Sequence, residues 1–312
     1  MCTLKKCKFE LQSKVIIKKQ KYMSGIQLLK INDFKNVQVD EQFYTNTIQN
    51  HLKSHHSRIE KPHKHNFYAV FLFTKGFGWH EIDFQKHEVK PGSVFFLYPG
   101  QTHSWELSDD VEGYLFFHTD EFYNMAYVNN SIRDFPFFES NYTEKCMYLN
   151  TDQNKIIQSV FEQLYLESVS DHWKKKQLVL SFLTQMYIQL NRYRETYSEL
   201  NLSHLKHYRH LFSEFEKLVD QHFKTHKLAS EYANMLHITQ KHLNRIVKSI
   251  TGNTTTDIII KRVLLEAKRK LIYTDHSLNQ IATKLGFDDP AYFSRVFRKY
   301  ENVTASEFRK QY

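Results

Sequence analysis

From about Ile26 to Phe138 the apolar residues come in short, β-rich runs. YAVFLF and VFFLY are strand-sized, and KGFG, KPGS and YPGQ punctuate them. WHEIDF alternates in places. Regular strands broken by Gly/Pro turns predict a sandwich or a small barrel. The period changes near residue 152. Ile156, Ile157, Val160, Phe161 and Leu164 follow helical spacing, and Val179, Phe182, Leu183, Met186, Tyr187 and Leu190 mark a second amphipathic helix. This pair reads as a linker, a partner-binding face, or both, although most such stripes simply pack on their own domain. From about His207 the segments are helical and short, beginning with the stripe Leu211, Phe212, Phe215, Leu218 and Val219.

The last third contains a repeat. LASEYANMLHITQKHLNRIVKSITGN aligns with SLNQIATKLGFDDPAYFSRVFRKYEN. Ala233 matches Ala282 and Leu236 matches Leu285 at an offset of 49; Leu243 matches Phe293, Arg245 matches Arg295, Val247 matches Phe297 and Lys248 matches Arg298 at 50. One extra residue therefore enters the turn of the second copy. Two helix–turn–helix units account for the pattern. Thr239 and Asp289 are good N-caps, and Pro290 sits where a first-turn proline is tolerated. Leu243, Ile246, Val247 and Ile250 form one packed stripe; Phe293, Val296, Phe297 and Tyr300 form the other. Left outside are Lys241, Asn244, Arg245 and Lys248 in the first copy, and Ala291, Ser294, Arg295 and Arg298, with Lys299 close by, in the second. Most are side-chain types that reach bases and phosphates. Between the copies, Thr255 to Ile272 predicts a helix of roughly 27 Å. Such a spacer would hold two recognition helices about one DNA turn, roughly 34 Å, apart.

Charge favours the same end of the chain. The net charge is +9, but residues 1–25 carry +6, residues 26–204 carry −5 and residues 205–312 carry +8. One cationic helix face is usually only solvated; two in register, in the basic third, point to DNA. Residues 1–25 read as a basic tail without assigned function, and Met23 offers an alternative start. With 312 residues, two domains are expected. Cys2, Cys7 and Cys146 are odd in number and form no CxxC, which predicts free thiols in a reducing compartment. No apolar run approaches the roughly 18 residues of a membrane span, and the basic N-terminus lacks an apolar h-region. A cytoplasmic protein without membrane contact is expected.

RVLLEAKRKL (Arg262 to Leu271) followed by SLNQIATKLGFDDPAYFSRVFRKY resembles the DNA-binding region of the AraC/XylS family of transcription regulators. The matching residues are Arg262, Ala267, Ile281-Ala282, Gly286-Phe287, Tyr292-Phe293-Ser294-Arg295, Phe297 and Arg298. Phe308 and Arg309 fit the family's last aromatic–Arg pair. Its closing Gly-x-Thr-Pro is here Asn302-Val303-Thr304-Ala305, which leaves that turn's geometry open. The resemblance implies sequence-specific binding of double-stranded DNA in adjacent major grooves. It carries base contacts over to Lys241, Asn244 and Arg245, and to Ala291, Ser294 and Arg295. Ala291 offers at most a thymine-methyl contact, so the second copy leans on its arginines. RNA polymerase as a partner, an activator role and a homodimer belong to the same expectation.

PHKH (Pro62 to His65) and KPGSVFFLYPGQTHSW, which ends just past His103, resemble the cupin-like β-barrel carried by many members of that family. Metal-binding cupins use H-x-H, a Glu four or five residues on, and a later His. His63, His65 and His103 are present, but positions 69 and 70 are Ala and Val. Three imidazoles can hold a metal, yet pocket-lining or core roles come first and no metal is assigned. His80, His87 and His118 read as surface or strand histidines, and Trp79, Trp105, Tyr98 and Phe117 as core. An aromatic-lined barrel suits a small apolar or sugar-like effector, with His63, His65, Tyr98, His103 and Trp105 as candidate contacts.

The expected fold is α+β in two domains. A cupin-like barrel (26–140) is followed by a helical linker or dimerisation segment (150–200). An all-α tandem helix–turn–helix domain (205–312) has motifs near 226–250 and 277–300. No catalytic residue or cofactor is expected. The alternatives are a metal-dependent cupin enzyme fused to a DNA-binding module, and a regulator without a ligand.

Overall fold

A computed structural model of the chain describes residues 26–34, 38–59, 61–124, 132, 135–139, 144–195 and 205–311. The basic tail, with Cys2 and Cys7, lies outside them. The chain divides into two compact units, at residues 27–200 and 201–312.

The first unit is built on two sheets. One joins β2 (Gln38–Asp40), β3 (Phe43–Thr47), β5 (Tyr68–Lys75), β8 (Ser93–Leu97), β10 (Glu112–His118) and β11 (Cys146–Tyr148) in the order β11-β8-β5-β10-β3-β2. The other joins β1 (Gln27–Leu29), β4 (His63–His65), β6 (Gly78–Ile82), β7 (Gln85–Val89) and β9 (Thr102–Leu107) in the order β1-β4-β9-β6-β7. The result is a cupin-like sandwich of two separately hydrogen-bonded sheets, not one continuous ring among the described residues.

The strands β5, β8 and β10 of the larger sheet are buried on both faces along most of their length, and the alternation along them shows how. In β5, Ala69, Phe71 and Phe73 point into the core shared with the second sheet, beside Ile82, Val89, Phe95, Leu97, Leu115 and Phe117. Tyr68, Val70 and Leu72 point the other way, with Val94, Phe96 and Phe116. There they meet α4 (Thr151–Val169) and α5 (Lys175–Glu195), through Ile157, Phe161, Leu164, Leu183, Met186 and Tyr187. A doubly covered strand has no solvent position, which is why AVFLF and VFFL contain no polar residue. The helical stripes between residues 156 and 190 thus complete this unit. Short helices α1 (Ile48–Ile59), α2 (Asp120–Asn124) and α3 (Pro136–Glu139) fill its margins. His118 is a strand residue, at the end of β10, and is fully buried. Its Nδ1–H donates to the Thr119 carbonyl (2.8 Å), so its Nε2 accepts from the Tyr187 hydroxyl at 2.7 Å. Trp79, expected in the core, is 48% exposed.

The second unit is helical: α6 (Leu205–His222), α7 (Ala229–Met235), α8 (Gln240–Thr251), α9 (Thr255–Tyr273), α10 (Leu278–Lys284), α11 (Pro290–Glu301) and α12 (Ala305–Gln311). Helices α7 and α10 start 49 residues apart, α8 and α11 start 50 apart, as the repeat requires. Thr239 Oγ1 caps α8 by accepting from the His242 amide, and Asp289 caps α11 by accepting from the Ala291 amide. Leu243, Ile246 and Val247 are buried, as are Phe293, Val296 and Phe297. Ile250 and Tyr300, expected with them, are only partly buried; the Tyr300 hydroxyl donates to Asp257 Oδ1 at 2.9 Å.

The two turns use the left-handed region at equivalent places, His237 (φ 54°) and Gly286 (φ 72°). The Ile238 amide donates to the Ala233 carbonyl, and the Phe287 amide to that of Ala282. After the second motif, Asn302 (φ 59°) does what Gly252 (φ 71°) does after the first, each donating its amide to the last helical turn. Asparagine tolerates that conformation. Thr304 and Glu307 then cap α12 reciprocally, as Thr254 and Asp257 cap α9. The lost Gly and Pro leave the turn intact.

Candidate functional site

On α8, Lys241, Arg245 and Lys248 are exposed; on α11, Ala291, Ser294, Arg295, Arg298 and Lys299 are exposed. Each helix therefore buries one stripe and presents a cationic one. The Ser294 hydroxyl donates to the Pro290 carbonyl (3.0 Å) and keeps its acceptor capacity. Arg295 lies 3.5 Å from Asp289, with both side chains more than half exposed. Such a pair is weak and leaves the guanidinium free to exchange partners. Arg245 Cζ sits 5.9 Å from the Tyr208 ring, at the start of α6.

Asn244 departs from its expected role. It is partly buried, and its Oδ1 accepts from the Thr255 amide (3.0 Å) and from Thr255 Oγ1 (3.3 Å). Bidentate adenine recognition needs that oxygen as an acceptor, and here it fastens α8 to the first turn of α9. The exposed residues Gln240 and Tyr292 share the outer faces of the two helices. Sequence spacing gave Gln240 no signal, and Tyr292 only that it precedes the buried Phe293.

In the first unit the histidines converge from neighbouring strands. His63 and His65 on β4, His103 on β9 and His80 on β6 all face the space between the sheets and are buried. His63 pairs with His103 across the ladder. The His103 ring centroid lies 4.3 Å from that of His63, 5.2 Å from His65 and 5.2 Å from His80. Trp105 packs 5.3 Å from His80 and from His103. His63 Nδ1–H donates to the Lys61 carbonyl and His65 Nδ1–H to that of Phe67, which leaves both Nε2 atoms as acceptors. His80 Nε2 and His103 Nδ1 share a hydrogen bond of 2.9 Å. The buried atoms His65 Nε2, His80 Nδ1 and His103 Nε2 have no hydrogen-bond partner.

Burial holds these rings neutral. It lowers His63 to about 4 and, helped by repulsion from His63, His65 to about 3. His80 and His103 fall well below the usual value for the same reason, with further repulsion from neighbouring histidines. Among the described residues no three His, Cys, Asp or Glu side chains are arranged to hold a metal ion. The candidate ligands His63, His65 and His103 share a packed cluster, but not a metal-binding geometry.

Two expectations change. Tyr98 continues the Val94–Phe96 alternation and packs with the helices, under the Lys145 ammonium at 4.6 Å. It is on the opposite side of the sheet from the histidines and Trp105. His80, by contrast, belongs to the cluster. Its signal lay in WHEI, where His80 and Ile82 face in while Trp79 and Glu81 face out.

A profile described as a helix-turn-helix domain matches residues 232–311, and one described as an AraC-like ligand binding domain matches residues 52–183. The chain is similar to the HTH-type transcriptional activator RhaR of Mannheimia succiniciproducens, 23% identical over 254 residues that cover 80% of this chain and 87% of the relative. It is also similar to the activator RhaS of that organism, 25% identical over 256 residues covering 80% and 90%. Among solved structures, ToxT from Vibrio cholerae aligns over 86% of this chain and 98% of its own, at 15% identity and a TM-score of 0.40.

Proposed function

Because the chain belongs to the AraC family of transcription regulators, we propose that residues 205–312 read a promoter and that the sandwich receives a small-molecule signal. The observation that carries this is the repeated recognition helix. Two copies of one capped, half-buried helix each expose cations and short polar side chains in register. Lys241, Arg245, Arg295 and Ser294 supply the base-edge contacts in this reading; Lys248, Arg298 and Lys299 supply phosphate contacts. Asn244 is reassigned to positioning.

The unpaired Nε2 atoms of His65 and His103 support a polar effector contact between the sheets. Self-association is supported by the outer faces of α4 and α5. Ile156, Ser159, Gln163 and Leu166 are exposed on one helix, and Leu178, Ser181, Gln185 and Ile188 on the other. Both stripes follow 3-4-3 spacing and carry no charge, as a helix-packing seam would. Activation with RNA polymerase in the cytoplasm completes the reading. Among the described residues no helix is long and apolar enough to cross a membrane.

Selection of bound sequences from a random DNA pool by the full-length protein, then titration in varied salt, tests this. Sequence preference with a falling log K against log salt is expected. Arg245→Ala should cost about 1–3 kcal/mol and relax specificity at a local cluster of bases. Binding with neither sequence preference nor a salt slope would overturn the proposal. A metabolite panel scored by thermal shift tests the effector half.

A further inference from the structure

Lys227 belongs to the first half of the repeat, in the loop between α6 and α7, yet it grips the second half. Its Nζ donates to the Lys224 carbonyl at 3.0 Å and to the Gly286 carbonyl at 2.7 Å, and it lies 5.0 Å over the Phe287 ring. Gly286 and Phe287 are the turn of the second motif, two residues before the Asp289 cap of α11. The approach is close enough that a Cβ on Gly286 would stand 1.9 Å from the Lys224 carbonyl oxygen and 2.8 Å from Lys227 Nζ. The loop is itself braced: Glu231 Oε2 accepts from the Lys227 and Leu228 amides. Burial disfavours the ammonium, while Asp288 and Glu231 favour it.

Helix α9 joins the motifs, and the second is held to it where the Tyr300 hydroxyl donates to Asp257 and the Lys268 ammonium to Glu301. The loop adds a second point of attachment. On the first motif's side, Arg262 fastens α9 to α6, donating to Asp220 Oδ1 (2.6 Å) with its guanidinium 4.1 Å over Phe223. On the DNA-reading proposal above, we infer that Lys227 is a positioning residue that fixes the half-site spacing the protein accepts, by clamping the second motif's turn against the first motif's loop. A spacer one base pair longer moves the second half-site by about 3.4 Å and turns it by about 35°. A clamped pair of helices cannot follow that displacement; an unclamped pair can.

The full-length protein is used to select a bound sequence, and the spacer between its two half-sites is then lengthened and shortened by one base pair. The wild type should lose about tenfold or more in affinity on either change. Lys227→Met and Lys227→Gln should lose less than about threefold, while binding each isolated half-site within about twofold of wild type. Thermal midpoints of both variants are recorded. A variant that melts earlier but keeps the wild-type spacing penalty overturns the inference, because stability is then all that Lys227 supplies. A wild type that selects a sequence but tolerates any spacing overturns it too. A wild type that selects no sequence defeats the DNA-reading proposal itself, a separate and recognisable result.

Discussion

Acid should unfold the sandwich, and the buried histidines set how steeply. His63 and His118 sit at about 4 and His65 at about 3 in the folded chain, against about 6.5 when unfolded. Folded values are depressed, so the contribution to stability is complete above pH 6.5. It is lost as pH falls, because the unfolded chain takes protons that the folded one refuses. At pH 5 each of the three removes about 2 kcal/mol, about 6 kcal/mol together. His51, His80 and His103 shift in the same direction. Among the described residues of this unit no buried carboxylate offsets them. A loss of that size is comparable with the whole stability of a typical domain. Urea unfolding at pH 7.5, 6.5, 5.5 and 5.0, followed by tryptophan fluorescence, measures it. All three tryptophans, Trp79, Trp105 and Trp173, lie in this unit, so the helical unit is silent. His65→Leu should flatten the dependence by about one histidine's share. An unfolding free energy constant to within about 1 kcal/mol from pH 7.5 to 5.0 would refute the reasoning, since neutral buried imidazoles require the slope.

Gly286→Ala should destabilise the helical unit by roughly 1–3 kcal/mol or more, through a left-handed alanine facing the Lys224 carbonyl. At the equivalent turn His237→Gly should gain about 0.5–1 kcal/mol; thermal melts of both variants check the pair. Asn244→Ala should cost about 1 kcal/mol through the lost hydrogen bonds to Thr255 and leave the selected DNA sequence unchanged; an altered base preference would restore it as a reader. Tyr187→Phe leaves the buried His118 Nε2 without a donor and should cost about 1–3 kcal/mol by denaturant unfolding.

Much of this was legible in the sequence because local rules carried it. Caps at Thr239 and Asp289, the turn at Gly286 and the 3-4 stripes each lie within one helix or its flank, and they recur at a fixed offset. What escaped depends on distant partners. Asn244 looks outward on a helical wheel, and only the fold brings Thr255 to it. Lys227 and Gly286 are 59 residues apart. Tyr98 and His103 are near neighbours in sequence but sit on opposite sides of a sheet buried on both faces, where apolar content alone cannot tell one side from the other. Asn302 shows the reverse case. A missing glycine left the turn's geometry open, and the backbone kept it.

The doubly covered sheet has a mechanical consequence. Strands β5, β8 and β10 separate the histidine core from the helical core with one layer of backbone, and neighbouring residues such as Val70 and Phe71 press on opposite sides of it. Close-packed interiors transmit strain, and the central residues of these strands are buried on both sides. The sheet is a shared wall: Trp105 packs 5.4 Å from Phe71 on one side of it, and Phe116 packs 5.9 Å from Tyr187 on the other.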